Sequence, residues 1–364
     1  MYTPEQLKDI AGRFEIPGDI QEIKPLGPGF INDTLMVKTM VDGTQKRYIL
    51  QRKNHIVFPD VPGMMNNILL VTEHLKKKVE AAGGDPMREV LTVVKTKDGA
   101  LYYKDEEGNF WAVCVFIEGS VTYEKADNPS LAYKGGKGIG KFQSMLSDFD
   151  TPLSETIKGF HNIRWRFQQW DEALKKDAAG RVKDLAEEIS WIESRKEEML
   201  AFWSLVENGT IPTRVTHNDT KISNILFDAE GEVLCVIDLD TCMSSTSLND
   251  FGDAIRSYTN TGAEDDRDLS KVSMSLEMFK AYAEGYLSER KETLCESELE
   301  WLAFSARYIT FEQVLRFLMD YIDGDKYYKT NAPDHNLVRT HAQYKLLCSM
   351  EEQYEAMKDI VKNA

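Results

Sequence analysis

The stretch Thr216-His217-Asn218-Asp219-Thr220-Lys221-Ile222-Ser223-Asn224-Ile225-Leu226 sets a carboxylate and a carboxamide five positions apart, beside apolar runs. Two more carboxylates, Asp238 and Asp240, follow the apolar run Val233 to Ile237, the first of them nineteen residues after Asp219. Spelled H-x-D-x4-N and then D-x-D, these residue types suit phosphoryl transfer. In that chemistry a loop aspartate takes the proton of an attacking hydroxyl, an asparagine further on ligates Mg²⁺, and an aspartate on the next strand completes the metal site. Hard oxygen donors suit that ion. Asp219 is thus the expected base and Asn224 and Asp238 the expected metal ligands, with Asp240 supporting the metal site. The tripeptide Asp250-Phe251-Gly252 is a rival for the metal aspartate, but it follows a loop, Ser244 to Asn249, and not an apolar strand. Asp250 and Asp253 are expected instead to begin a helix and to anchor the base loop by hydrogen bonds.

These side chains need elements to hold them. A hairpin from Ile225 to Ile237, turning at Asp228-Ala229-Glu230-Gly231, would bring Asp238 back beside Asn224. Upstream, short β-type runs dominate from Gln21 to Phe116: Thr34 to Thr39, Arg47 to Leu50, Val90 to Lys95, Leu101 to Tyr103 and Phe110 to Phe116. One helix, about Pro62 to Val79, interrupts them. Before the first of these runs, Leu26-Gly27-Pro28-Gly29-Phe30-Ile31-Asn32-Asp33-Thr34 forms a turn whose backbone, through Gly27 and Gly29, can cover phosphates. Asn32 and Thr34 add side-chain donors. After Ile117 to Ser120 the texture becomes helical, with amphipathic segments at Trp170 to Lys176, Val182 to Trp203, Val272 to Leu287 and Glu298 to Tyr321. The expected domains are 1–116, a nucleotide-binding lobe, and 117–364, a catalytic and acceptor-binding lobe, joined by a crossing near 116–120.

Composition narrows the partners. The chain has 364 residues, enough for two lobes, and 42% of them are hydrophobic, enough for a core. A formal net charge of −16 disfavours nucleic acid and anionic membranes, while a local basic cleft is all that a nucleoside triphosphate needs. The five cysteines form no CxxC and read as reduced core thiols. With a polar N-terminus and no long apolar run, a cytoplasmic location is expected.

The H-N-D-T-K-x-x-N and I-D-L-D-T segments resemble the aminoglycoside phosphotransferase and choline kinase superfamily. Within it, Arg47 to Arg52, Phe58 to Asp60, His217 to Leu226, Val236 to Thr241, Asp250 to Arg256 and Phe311 to Tyr328 are similar to the N-acetylhexosamine 1-kinases. The resemblance implies an α+β, bilobal protein-kinase-like fold, with a small antiparallel sheet and one main helix followed by a larger helical lobe. It also implies ATP and Mg²⁺ as cofactors, and an acceptor that is N-acetylglucosamine or N-acetylgalactosamine, phosphorylated at the anomeric hydroxyl. Backbone groups from Phe116 to Glu118 would meet the adenine edge. Arg316 and Tyr327 would meet the sugar, with Glu312 and Asp320 on the same helix face as Arg316. Phe160 and His161 match a family signature, with His161 expected to be a structural hydrogen-bonder. One departure stands out: Gln51 occupies the strand position where relatives carry a phosphate-binding Lys or Arg, and the helix near 62–79 offers only Glu73 as an ion-pair partner. The other acceptors left open are an amino alcohol, a methylthio sugar and an aminoglycoside, and a catalytically silent nucleotide-binding module is the remaining alternative.

Overall fold

The computed structural model describes residues 2–27 and 31–364. The chain divides into two compact units. The first comprises Met1–Thr122, Asp148–Lys158 and Ile225–Ser244; the second comprises Tyr123–Ser147, Gly159–Asn224 and Ser245–Ala364. The Ile225–Ser244 segment, with its D-x-D, therefore belongs with the N-terminal sheet, although it lies more than a hundred residues downstream of it in sequence.

The first unit is built on an antiparallel sheet of six strands. Along the sheet run Asp19–Pro25, Asp33–Val41, Thr44–Lys53, Phe110–Val115 and Val93–Val94, and Tyr103–Lys104 also pairs with Phe110–Val115. The second and third strands meet through Asp42-Gly43, both at positive φ (47° and 78°), as a two-residue hairpin turn requires. That turn fixes the register Val41↔Thr44, Thr34↔Gln51 and Asp33↔Arg52, and the third strand runs out to Lys53, three residues beyond the expected end. Val37, Leu50, Trp111 and Val113 point from one face of the sheet into a core closed by Ile10, Ala11 and Phe14. The helix Val61–Ala81 is capped by Asp60, which accepts from the Gly63 amide at 2.9 Å, and carries Pro62 in its first turn. The expected hairpin is present, with Ile225–Phe227 pairing Val233–Val236, and Leu226 and Cys235 packing on Ile117.

The second unit is helical. The long helix Glu296–Asp323 is buried on most of its faces, polar residues such as Glu298, Glu312 and Asp320 included, and Leu302, Tyr308, Phe311, Leu315, Leu318 and Ile322 are fully buried. The segment expected as one helix over 182–203 is two, Ala186–Glu193 and Lys196–Glu207. The helix Pro129–Met145 is not among the expected elements, because its Lys-Gly-Gly-Lys-Gly-Ile-Gly run has poor helix propensity. Those glycines serve close packing against the helix Leu276–Arg290. A Cβ on Gly136 would stand 2.2 Å from the Tyr282 carbonyl, and one on Gly285 would stand 2.0 Å from the Tyr133 carbonyl.

Among the described residues no helix is long and apolar enough to cross a membrane. The cysteines form no disulfide, but only Cys235 and Cys242 are fully buried. Cys295, expected in a core, is exposed at the start of the long helix.

Candidate active site

The site residues fall in two clusters, one in each unit. In the second unit the strand Arg214–Thr216 leads into the base loop, and His217, Asn218 and Thr220 are buried while Asp219 stays partly open. The loop backbone is held by carboxylates of the helix Ser247–Tyr258. Asp250 accepts from the His217 amide at 2.9 Å and from the Asn218 amide at 2.7 Å, and Asp253 accepts from the Thr220 amide at 2.8 Å. The anchoring role expected of these two aspartates is therefore observed, but the helix cap is Thr246. Gln143 steadies Asp250 with a 2.7 Å bond to Oδ2, and its own carbonyl accepts from the Tyr286 hydroxyl at 2.5 Å. This arrangement depends on the close glycine packing of the helices that carry Gln143 and Tyr286. Burial pushes the Asp250 carboxyl up, against the pull of His217 and the donated bonds. Burial has the same tendency at Asp253, but there Arg256 and His161 outweigh it and hold the group below its ordinary range.

The loop turns through Asn218 in a left-handed conformation, φ 65°, which asparagine tolerates better than most residues. Asp219 then faces Lys221 Nζ at 2.9 Å and Asn224 Nδ2 at 3.0 Å, and Asn224 Nδ2 also donates to the Asp219 carbonyl at 2.8 Å. With its NH₂ turned to Asp219, the Asn224 carboxamide presents its oxygen elsewhere, as a hard-metal ligand requires. The motif assigns Lys221 no role; its position two residues after Asp219 is the signal that points to one.

In the first unit, Asp238 follows the hairpin strand Val233–Val236 and adopts a left-handed backbone, φ 61° and ψ 54°, at the start of the turn Leu239–Thr241. Asp240 is buried and paired with Lys53, whose Nζ lies 2.7 Å and 2.9 Å from its two oxygens. Burial opposes the charge on Lys53, but Asp240 more than offsets it, so the ammonium titrates above its ordinary 10.5. A buried strand lysine thus stands two positions beyond Gln51, the position where the resemblance places the phosphate-binding cation. Residues two apart on a strand share a face, so Lys53 stands on the same side as Gln51. Lys53 also donates to Gln51 Oε1 at 2.7 Å, and Gln51 Nε2 reaches Thr34 Oγ1 at 3.3 Å. At the other end Asn32 donates to Asp240 Oδ2 at 2.7 Å and accepts from the Asn54 amide at 3.0 Å. The two donors expected from the turn, Asn32 and Thr34, thus close a polar row through Gln51, Lys53 and Asp240.

The helix Val61–Ala81 gives Lys53 no carboxylate. Its Glu73 pairs with Lys76 on the surface, and the buried Asn67 ties the helix to the Cys242 carbonyl at 3.0 Å and to Ser154. Gly27 is exposed, with φ 69°, while Gly29 lies outside the described residues. At the crossing, the Phe116 amide donates to the Arg47 carbonyl at 3.1 Å, the Arg47 guanidinium lies 4.1 Å from the Phe116 ring centroid, and Glu118 pairs with Arg47.

Among the described residues no three His, Cys, Asp or Glu side chains cluster as a metal site. Asn224 in the second unit and Asp238 in the first each carry the kind of hard oxygen donor that Mg²⁺ takes.

The acceptor residues expected on the long helix do not form one ion-pair face. Glu312 is taken by His161 Nδ1 at 2.6 Å and Arg166 Nε at 3.0 Å, and despite its burial these neighbours hold it well below the usual carboxylate range. Asp320 accepts the amides of Lys326, Tyr327 and Tyr328 at 2.8–3.0 Å, organising the chain beyond the helix. Arg316 is left among the rings of Phe160, Tyr327 and Tyr328, at 5.6, 5.9 and 5.6 Å from their centroids. His161, as expected, is a structural group: its Nε2 lies 3.4 Å from the Asn218 carbonyl.

Solved structures share this fold. An aminopropanol kinase associated with a microcompartment matches with a TM-score of 0.64 and 17% identity over 97% of this chain and 98% of its own. A spectinomycin phosphotransferase, solved with ADP and spectinomycin, matches at 0.59 and 13% over 97% and 99%. An ethanolamine kinase from Plasmodium vivax matches at 0.54 and 16% over 88% and 82%. Residues 22–287, which include Lys53, Asp219, Asn224, Asp238 and Asp240, match the model of the phosphotransferase enzyme family, APH, and the chain belongs to that family.

Proposed function

We propose that this protein is a small-molecule kinase that moves the γ-phosphoryl group of ATP onto the anomeric hydroxyl of N-acetylglucosamine or N-acetylgalactosamine. The observation that carries the kinase reading is the base loop: a partly open carboxylate, Asp219, on a backbone pinned by Asp250 and Asp253, with a cation and a metal-type carboxamide on either side. Asp219 accepts the acceptor's hydroxyl proton as its oxygen bonds to the γ-phosphorus, and the bond to the β–γ bridging oxygen breaks to release ADP. Lys221 offsets charge on the transferring group. Asn224 and Asp238 would hold Mg²⁺, which would neutralise phosphate charge when bound. Lys53 supplies the cation for the nucleotide phosphates, with Asn32 and Thr34 at the ends of its polar row and Gly27 and Gly29 in the covering turn. Asp240 supports the metal site by orienting Lys53. The nucleotide base rests near Phe116 to Glu118.

The sugar assignment rests on the similarity of the quoted segments to N-acetylhexosamine 1-kinases and on Arg316 and Tyr327 as acceptor contacts. An amino alcohol is the second reading, favoured by the fold shared with an aminopropanol kinase. The buried Lys53, on the same strand face as Gln51, weighs against the silent-module reading. The test is ADP release with Mg·ATP across N-acetylhexosamines, aminopropanol, ethanolamine, a methylthio sugar and an aminoglycoside, with products read by ³¹P NMR. An acid-labile hexosamine 1-phosphate supports the assignment. An acid-stable monoester on another acceptor overturns it, and Mg·ATP binding without ADP release for any acceptor removes the kinase reading.

A further inference from the structure

Glu298 stands in the first turn of the long helix Glu296–Asp323 and is fully buried. Its carboxylate meets the starts of two other elements. Arg214, the first residue of the strand Arg214–Thr216, donates to it from Nη2 at 2.8 Å and from Nε at 3.2 Å, and Ser247, the first residue of the helix Ser247–Tyr258, donates its hydroxyl at 2.7 Å. Three residues on from Arg214 is His217, and three residues on from Ser247 is Asp250; there the His217 amide donates to the Asp250 carboxylate at 2.9 Å. The strand that enters the base loop and the helix that anchors the loop are therefore tied twice, once at each carboxylate. Burial opposes the charge on Glu298, but the bonds from Arg214, the Cys295 amide and Ser247 outweigh it and hold the carboxyl below its ordinary range.

A second route runs from Glu298 to the same aspartate. Arg290, at the end of the helix Leu276–Arg290, is fully buried. Its Nη2 makes no hydrogen bond among the described residues and lies 3.7 Å from Glu298 Oε1, while its Nε faces Gln143 Oε1 at 3.4 Å. A buried guanidinium needs a counter-charge, and Glu298 supplies it. The Tyr286 hydroxyl also donates to Gln143 Oε1, at 2.5 Å, so two donors fix the carboxamide oxygen on their side and turn its NH₂ to Asp250 Oδ2, 2.7 Å away. We propose that Glu298 is a positioning residue for the base. Through Arg214 and Ser247 directly, and through Arg290 and Gln143 indirectly, it sets how the base-loop amides meet Asp250, and with that the aim of Asp219. The role of Asp219 as base rests on the kinase reading above; the tie between Glu298 and the base loop does not.

The test uses the full-length protein and the acceptor that it turns over in the panel above. Glu298→Gln keeps the shape of the side chain but turns one oxygen into a donor facing Arg214 or Ser247. Its kcat should fall about ten- to a hundredfold, the loss of a hydrogen bond to a charged group, with KM for ATP unchanged. Without any turnover, hydrogen exchange read by NMR at the His217 and Asn218 amides, both bonded to Asp250, should speed up about tenfold or more, while amides in the middle of Glu296–Asp323 keep their wild-type rates. A purely structural role would raise all of these rates together and would not separate kcat from KM. Ser247→Ala removes one tie and leaves Glu298 paired with Arg214, so it should fold and show the same pattern with a smaller change, which provides a readout if Glu298→Gln does not fold. Combined with Gln143→Leu, Glu298→Gln should cost less in kcat than the product of the two single losses, because both act through Asp250. Wild-type exchange at His217 and Asn218 in both variants, or fully multiplicative losses in the double variant, overturns the inference and leaves the kinase reading standing. Absence of turnover with every acceptor defeats the kinase reading, while the exchange rates still decide whether Glu298 holds the base loop.

Discussion

Asp250 in the helical unit and Asp240 in the sheet unit are both buried carboxylates next to proposed chemistry, and they are satisfied in opposite ways. Asp250 commits its oxygens to two backbone amides and the Gln143 carboxamide. Asp240 commits its own to an ammonium and the Asn32 carboxamide. Amide donors are fixed by the fold, so the base loop is held in one shape whatever is bound. An ammonium on a four-carbon stem can be handed to another anion, so the Lys53 pair is suited to exchange with nucleotide phosphates. In the proposed reaction one unit supplies a rigid base and the other an exchangeable cation.

The sharpest attack on that division is Asp219→Asn. Because the loop is shaped by Asp250 and Asp253 and not by the base itself, this variant should fold and bind Mg·ADP normally while kcat falls by about 10²- to 10⁴-fold. Wild-type turnover would remove the base assignment.

Lys53→Met comes next. It strands the Asp240 charge, and breaking one partner of a buried pair costs about 3–5 kcal/mol, to be read by urea unfolding. Adding Asp240→Leu should recover most of that stability but not nucleotide affinity. If the single variant is as stable as wild type, the pair is not what holds this turn.

Asp250→Asn keeps one accepting oxygen and turns the other into a donor facing an amide. One buried amide is orphaned, at about 1–3 kcal/mol. The distinguishing readout is kcat, which should fall with KM for ATP unchanged, since Asp250 shapes only the base loop. A rise in that KM alone would contradict the division.

How far the sequence displays these two clusters follows from the same contrast. The base loop is legible because His217 to Asn224 are contiguous, and their spacing alone implies the chemistry. The anchors Asp250 and Asp253 are legible as polar residues opening a helix, although Thr246 takes the cap. Lys53 escapes such a reading because its partner lies 187 residues away and its face depends on a hairpin register set at Asp42-Gly43. Alignment on Tyr48 to Leu50 stops two residues short. The glycine-rich helix Pro129–Met145 escapes it for a related reason: propensity argues against the helix, and only the close approach of Leu276–Arg290 explains it. Arg316 shows the limit of helical spacing as evidence. The i±4 carboxylates do share its face, but tertiary partners claim both.

The smallest expected effect concerns Glu312, whose carboxylate is kept below its ordinary 4.5, against its burial, by His161 and Arg166. A carboxylate with a depressed folded-state pKa adds stability that is complete above 4.5 and is withdrawn as pH falls below it. In that window the loss runs up to about 1.4 kcal/mol per pH unit for one proton. Glu312→Gln should be less stable at neutral pH and should flatten the dependence of unfolding free energy on pH between 4.5 and the acid limit of folding. An unchanged acid slope in Glu312→Gln would mean that the His161–Glu312–Arg166 cluster does not hold a charged carboxylate.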